Sequence, residues 1–368
     1  MKFRKKFINN FTKIFLGIFS GIILLEISFK FIENTPLWRV FPLTEPILGE
    51  PDKELGFKFT PNAKGIWLKE NRSKIKINDL GFRDFNKKDL KESSFKIILT
   101  GDSIVEALQV DQHKNFENLT EKNLLNKNYD LQIFNLAKSG DGPLRQLLTL
   151  EKIGYPLQPD LAILLTSLNE FYTGELLDDS VAPAYSEISN NKYVRTFGFS
   201  KRWQVRESES PIFLYALNKL QNYSFLRIFY YRLKSLNQNL KIDSKIIKKE
   251  NNNEEDFCNE KEIEKYIRLF NENESNDSKK LFIAFLEDLS SSTSTQDLQV
   301  IYMINNIPFP ERGCFSAMEK RKILINKLRE TFEKYNIVFF DFYGELNNLK
   351  IIHGFNDSQL KFLTGHLN

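Results

Sequence analysis

A serine hydroxyl serves acyl transfer only when a base takes its proton and nearby donors receive the developing negative charge. Gly101-Asp102-Ser103 offers such a hydroxyl. It closes the apolar run Phe95-Lys96-Ile97-Ile98-Leu99-Thr100 and opens what reads as a helix. Open α/β sheets bind ligands beyond the carboxyl ends of their strands, and an N–H there lies near the positive end of a helix. A serine after a Gly-Asp turn also serves simply as a helix cap. Three further stretches bear on the choice. Asn135-Leu136-Ala137-Lys138-Ser139-Gly140-Asp141-Gly142-Pro143 follows a second apolar run, and its glycines leave backbone N–H groups exposed. Thr166-Ser167-Leu168-Asn169-Glu170 follows a third and carries a side-chain amide, and Gly365-His366-Leu367-Asn368 brings an imidazole. Each by itself reads as a turn glycine, a capping Asn or a surface His. Their order along one sheet edge is what suggests a site.

The elements that must position these residues are legible as an alternation. Phe95 to Thr100 predicts a buried strand, Phe116 to Leu125 a helix, and Leu131 to Leu136 a second strand. Pro143 to Ile153 predicts a helix with Pro near its start, and Leu161 to Thr166 a third strand. Strands separated by helical patterns imply parallel βαβ units and hence an α/β sandwich. The rhythm lapses from about Asp178. Ser210 to Leu236 is aromatic-rich helical text, and Lys248 to Asp256 is a polar, Asn-rich break. Lys261 to Leu289 is helical with an interruption near Asn273 to Asp277, and Ser290 to Gln296 reads as a low-complexity loop. Strand Leu298 to Ile304, helix Ala317 to Tyr335 and strand Ile337 to Phe342 then resume the pattern. Residues 178–297 are therefore expected to form a helical insertion and cap within one α/β domain. Residues 34–94, with the alternating runs Gly56-Phe57-Lys58-Phe59 and Lys74-Ile75-Lys76-Ile77, read as a small β-rich lead-in without a core of its own.

The N-terminus is a topology signal. Lys2, Arg4, Lys5, Lys6 and Lys13 precede an apolar stretch of 19 residues, Ile14 to Ile32, near the length that crosses roughly 30 Å of hydrocarbon. Glu26 and Lys30 interrupt it, but they sit four apart and can pair on one helix face, and Lys30 can snorkel. No Ala-x-Ala-like cleavage site follows. Residues 1–33 are thus expected to be an uncleaved signal-anchor, N-terminus cytoplasmic and the rest extracytoplasmic. The chain of 368 residues has 52 basic and 48 acidic side chains, net +4. Its five leading cations exceed that net and leave the remainder near −1, which argues against nucleic acid as a partner, since a domain that binds it is expected to concentrate basic charge. Cys258 and Cys314 form no Cys-x-x-Cys or Cys/His cluster, which argues against a metal site. They suit either one disulfide or two separate thiols.

Taken together, these blocks resemble the SGNH (GDSL-type) hydrolases, specifically the bacterial branch with an N-terminal membrane helix and a β-rich lead-in. The lead-in text Asp52-Lys53-Glu54-Leu55-Gly56-Phe57, Thr60-Pro61-Asn62 and Ile77-Asn78-Asp79-Leu80-Gly81-Phe82-Arg83-Asp84 is similar to that branch, as is Ser139 to Gln146. The resemblance spans nearly the whole chain, with 178–297 the least matched part. It implies a three-layer sandwich with a mainly parallel, flavodoxin-like sheet over residues 95–368. It also implies that Ser103 is the nucleophile, His366 the general base, and Ser103 N–H, Gly140 and Asn169 the oxyanion hole, with no metal or organic cofactor.

Departures from the family pattern are specific. The Asp that usually precedes the catalytic His by two or three residues, orienting the ring, is replaced by Thr364 and Leu363. Loss of such a carboxylate costs about 10⁴ in kcat in serine proteases. Thr364, Asp357 or Asp341 are the candidates to take over. Asn169 is followed by Glu170 where Asp is usual, and two residues follow His366 where a closing helix is expected, so the chain is either truncated or ends on a frayed base. The implied activity is that of an extracytoplasmic serine esterase or acyltransferase acting on an acylated small molecule, lipid or envelope glycan. The alternative is a catalytically degenerate fold kept as a binding or scaffold module in an envelope complex.

Overall fold

In a computed structural model of the chain, the described residues are 2–35, 37, 49–67, 71–85, 94–172, 184–189, 192–197, 223, 225, 229, 258–270, 277–308, 310 and 313–346. The chain divides into two units: Met1–Leu48, Lys64–Lys74 and Glu209–Glu250 in the first, and Gly49–Ala63, Ile75–Ser208 and Asn251–Asn368 in the second.

The first unit is dominated by helix α1 (Lys2–Asn34). Its segment Asn10–Ile32 is long and apolar enough to cross a bilayer, and its apolar side chains, among them Phe11, Ile18 and Leu24, are exposed. The expected i,i+4 pair forms, with Lys30 Nζ 3.7 Å from Glu26. Glu26 also accepts the Phe225 N–H at 2.9 Å, and the Phe29 and Phe225 rings lie 5.9 Å apart. Most of the aromatic text between 210 and 236, and the break at 248–256, lie outside the described residues.

In the second unit, β1 (Gly49–Asp52) and β2 (Gly56–Phe59) form an antiparallel ribbon. Next in sequence are β3 (Lys64–Trp67), which belongs to the first unit, and β4 (Ser73–Lys76), whose first two residues do as well. Then come β5 (Phe95–Gly101), the single-turn α2 (Ser103–Glu106), α3 (Phe116–Leu125), β6 (Leu131–Asn135), α4 (Pro143–Thr149), β7 (Leu161–Thr166) and the single-turn α5 (Asn169–Tyr172). The chain continues through β8 (Ala184–Ser189), β9 (Lys192–Thr196), α6 (Glu260–Leu269), α7 (Asp277–Ser294), β10 (Gln299–Ile304), α8 (Phe315–Glu333) and β11 (Val338–Asp341).

The central sheet has the order β11-β10-β7-β5-β6, with every pairing parallel. This is the flavodoxin-like doubly wound order, with the first strand inside the second. Successive strand residues face opposite sides. Ile98, Phe134 and Leu164 enter one buried cluster, while their neighbours Leu99, Ile133 and Leu165 enter another. Both faces are therefore covered, which is why these strands read as continuous apolar runs and not as alternation. The larger cluster takes Leu147 of α4, Leu281, Phe282 and Leu289 of α7 and Leu324 and Phe332 of α8. Rings interlock through it: Phe171 to Phe282 at 4.7 Å and Tyr302 to Phe332 at 5.0 Å. The lead-in adds Leu55 and Phe82 to the same core.

Three expectations change. The helix from Pro143 is regular only to Thr149 and widens into a π turn through Gly154. Ser290 to Ser294, read as loop, continues α7, because Thr293 is buried and returns its hydroxyl to the Leu289 carbonyl at 2.8 Å. The β8–β9 hairpin was not foreseen, although Asn190-Asn191 between two alternating runs is turn chemistry. Arg195 ties it down, bonding Glu151 and Asp288 at 2.7 Å each, and Tyr185 donates to Asp288 at 2.8 Å.

Cys258 and Cys314 form a disulfide with a sequence separation of 56, settling the alternative left open by the sequence. It joins the residue ahead of the α6 N-cap to the N-cap of α8, where Lys320 also pairs with Glu260 at 2.5 Å and with Glu264. A loop of that size restricts the unfolded chain by about 4 kcal/mol in the chain-entropy model. Reduction, or Cys314→Ser, is therefore expected to lower stability by roughly 2–4 kcal/mol, measured as a drop in denaturation midpoint on adding dithiothreitol.

Candidate active site

The sheet order brings the three candidate loops together. The chain leaves β5 toward β6 on one side and returns to β7 on the other, so the loops after β5 and β7 diverge at the topological switch point. Gly101 lies across from Leu165 of β7. On the opposite side, β6 stays paired beyond its last strand residue: Leu136 N–H donates to Leu99 O at 2.8 Å and Lys138 N–H to Gly101 O at 3.2 Å. Ser103, Gly140 and Asn169 thus follow the carboxyl ends of three adjacent strands.

The turn at Ser103 is tightly built. A Cβ on Gly101 would meet the Val105 side chain at 2.3 Å and the Leu165 carbonyl oxygen at 3.2 Å, so only glycine allows α2 to fold back over the strand end. Asp102 caps the turn, its carboxylate accepting the Ile104 N–H at 2.8 Å. Ser103 is half-buried as the first residue of α2. The helix stops after one turn because Ala107 adopts φ +52°, with its N–H on Ser103 O at 3.0 Å. A left-handed alanine is strained by about 1–2 kcal/mol.

Residues not singled out from sequence hold this turn in place. Buried Arg83, from the lead-in, donates through Nη1 to Glu106 O at 2.9 Å, Ala107 O at 2.6 Å and Asn115 Oδ1 at 3.1 Å, and through Nη2 to Val110 O. It thereby satisfies the carbonyls that the abrupt end of α2 leaves open. Asp84 accepts the Asn135 N–H at 3.0 Å, and Asn135 Nδ2 donates to Val105 O at 3.0 Å. Glu106 is buried and accepts both the Ser139 N–H, at 2.6 Å, and the Ser139 hydroxyl. A glutamate inside Ile104-Val105-Glu106-Ala107-Leu108 was the available signal, since a charge in an apolar run needs a buried partner.

Gly140 is exposed with φ +83°, a conformation that calls for glycine. Its turn is closed by Asp141 N–H on Lys138 O at 3.0 Å. Asp141 and Lys138 are buried and 3.3 Å apart, with Arg145 Nε 3.5 Å from Asp141. Burial pushes the Asp141 carboxyl up and the Lys138 ammonium down, and their mutual attraction opposes both shifts. Lys138 also donates to Phe57 O of β2 at 3.0 Å.

Asn169 begins α5, three residues beyond β7. The loop that carries it is fixed by the residues after β10: Leu168 N–H donates to Asn306 Oδ1 at 2.5 Å, Ser167 Oγ to Asn305 Oδ1 at 2.9 Å, and Asn305 N–H to Thr166 O at 3.0 Å. Glu170 accepts the Thr166 hydroxyl at 2.6 Å. Of the histidines, His113 is exposed in the turn Gln112–Lys114. His353, His366, Asp357, Leu363 and Thr364 lie outside the described residues. Asp341, a candidate to orient the base, bonds Arg321 at 2.5 Å through one oxygen and the Gly344 N–H at 3.0 Å through the other. Among the described residues no cluster of His, Cys, Asp or Glu suits a metal ion.

Several solved structures similar to this one are named as esterases. The chain matches TesA at 13% identity over 66% of this chain and 76% of that one, with a TM-score of 0.30. It matches AlinE4, an SGNH-hydrolase family esterase, at 11% identity over 71% and 81%, with a TM-score of 0.31. A catalytic mutant of Axe2, an acetylxylan esterase from Geobacillus stearothermophilus, matches at 12% over 75% and 91%, with a TM-score of 0.34. No family model matches the chain, and no curated protein does. Likeness of this degree carries no residue correspondence.

Ala107→Gly relieves the left-handed strain and should raise stability by about 1 kcal/mol, read from chemical denaturation. Glu106 and Glu117 are both pushed up to about 7, chiefly by burial. An unfolded Glu titrates near 4.3, so the folded protein retains protons that the unfolded chain has lost. Their stabilising protonation is complete below about pH 4.3 and disappears as pH rises through 7. Glu117→Gln removes one of these two titrations and should reduce the fall in denaturation midpoint between pH 5 and pH 8 by roughly half.

Proposed function

We propose that the chain is a membrane-anchored serine ester hydrolase of the SGNH (GDSL) type, or an acyltransferase of the same mechanism. The observation that carries this reading is the side-by-side arrangement of the Ser103, Gly140 and Asn169 loops at the switch point of the sheet. Ser103 Oγ attacks the ester carbonyl while His366 takes its proton. The oxyanion is received by the Ser103 and Gly140 N–H groups and the Asn169 amide, donors that are each worth roughly 10²–10³ in rate when preorganised. His366 returns the proton to the departing alcohol. Water, or a hydroxyl of an acceptor sugar or lipid, then attacks the acyl-enzyme and regenerates Ser103.

The substrate class proposed is an acyl ester on an envelope glycan, lipid or small molecule. In this reading α1 is a membrane anchor, and the five leading cations favour a cytoplasmic N-terminus with the catalytic domain outside. Thr364, or Asp357, takes the orienting role at His366 that an Asp two residues before the His would have.

Treatment of the detergent-solubilised full chain with a serine-directed fluorophosphonate should give one adduct, at Ser103. The adduct should be lost in Ser103→Ala and reduced at least 10²-fold in rate in His366→Ala. A folded protein that takes no label at Ser103 would overturn the enzyme reading in favour of the binding module, the reading favoured by Thr364 at the position of the usual Asp.

A further inference from the structure

Among the described residues, Glu106 alone has two relationships to the site's loops. It lies on the same helical turn as Ser103, three residues on. Its carboxylate also accepts the backbone N–H of Ser139 at 2.6 Å, together with the Ser139 hydroxyl. Ser139 immediately precedes Gly140. Two bonds to one residue fix both the position of its main chain and its rotation, so the peptide that bears the Gly140 N–H inherits its orientation from α2. On the far side the turn is held by the Lys138–Asp141 pair and the Asp141 N–H on Lys138 O. Those contacts close the turn on itself; Lys138 ties it to β2 through Phe57 O at 3.0 Å and to the end of β5 through its N–H on Gly101 O at 3.2 Å, while the Glu106 bonds run to the turn of Ser103.

We infer that Glu106 is a positioning residue, which locks the Ser139–Gly140 turn at the distance from Ser103 that an oxyanion donor requires. The inference rests on the esterase reading and names a residue outside the nucleophile, base and oxyanion donors. Glu106 acts through Ser139 and does not touch the substrate. Its other oxygen, Oε1, is buried without a hydrogen-bond partner among the described residues. The charged groups that face the carboxylate are Arg83 from the lead-in and Asp141 from the turn after β6, and α2 contributes no other titratable side chain. Burial raises the carboxyl, and the Ser139 bonds and Arg83 oppose that rise. Ionisation near neutral pH matters because a carboxylate holds two donors more strongly than a neutral acid does. Catalysis then needs two deprotonations, at Glu106 and at the His base.

The test uses the full chain in detergent, with p-nitrophenyl acetate turnover and fluorophosphonate labelling of Ser103 as readouts. In the wild type, the logarithm of kcat/KM should rise with a slope approaching two below about pH 6. Glu106→Gln keeps the shape and one acceptor, and should lower kcat about 10–10²-fold with KM within about threefold. Its acid limb should have a slope of one. Ser139→Ala removes only the hydroxyl bond and should lose about 10-fold in kcat while keeping the steeper limb. Denaturation midpoints establish that each variant is folded, and if Glu106→Gln does not fold, Ser139→Ala decides alone. Wild-type labelling combined with variant kcat values within twofold, and an unchanged limb, overturns this inference by itself. Absence of Ser103 labelling in the folded wild type overturns the esterase reading and this inference with it.

Discussion

The site depends on one constraint, the placement of β5 between β6 and β7 in a parallel sheet. Parallel strands present their carboxyl ends on the same edge, so whatever follows them is gathered there. Because the chain moves to β6 and then crosses back to β7, the flanking loops part and leave a crevice instead of closing over the strand ends. The pairing is extended past β6, with Lys138 still bonded to Gly101. That short continuation and the Glu106 bonds to Ser139 together hold the Gly140 turn beside the turn of Ser103. Gly101 completes the arrangement, since any side chain there would push α2 off the strand.

A second layer of the design is polar and buried. The lead-in contributes more than cover: Arg83 receives the open carbonyls of α2, and Asp84 bonds the β6 main chain at Asn135. Asn135 in turn bonds the Val105 carbonyl. These contacts explain how a helix of one turn, ending in a strained alanine, keeps a defined geometry. Buried polar groups of this kind are costly unless their partners are present, so the lead-in and the α/β sandwich depend on each other. The third loop has its own support in Asn305 and Asn306, which come from the far side of the intervening chain.

Fold class was legible because both faces of the central sheet are covered. Runs such as Ile97-Ile98-Leu99 and Leu161 to Leu165 have to be apolar throughout, and the helices between them carry their own period. The same logic misled at Ser290 to Ser294. Serine and threonine look like loop residues until a buried neighbour lets their hydroxyls bond back to the helix. The hairpin at β8–β9 has little local signature, since its stabilising partners, Glu151 and Asp288, lie 44 and 93 residues from Arg195.

Ser103, Gly140 and Asn169 are candidates in the sequence because a Gly-Asp-Ser turn, a glycine-bearing stretch and an amide each follow an apolar run, and the resemblance selects them; that they follow three adjacent strand ends is what the sheet adds. The two cysteines were visible too, but their union was not, since a bond across 56 residues depends on where α6 and α8 dock. Glu106 and Arg83 belong to the same class. In the sequence they are a charge in an apolar run and a basic residue in a lead-in, and nothing local says which atoms they meet. Sequence by itself determined the elements, their alternation and the residues at strand ends, because those follow from nearest-neighbour chemistry and periodicity. Tertiary structure decided which loops share an edge and which buried carboxylate holds them, because hydrogen bonds between distant segments exist only once the sheet has brought them within 3 Å or so of each other.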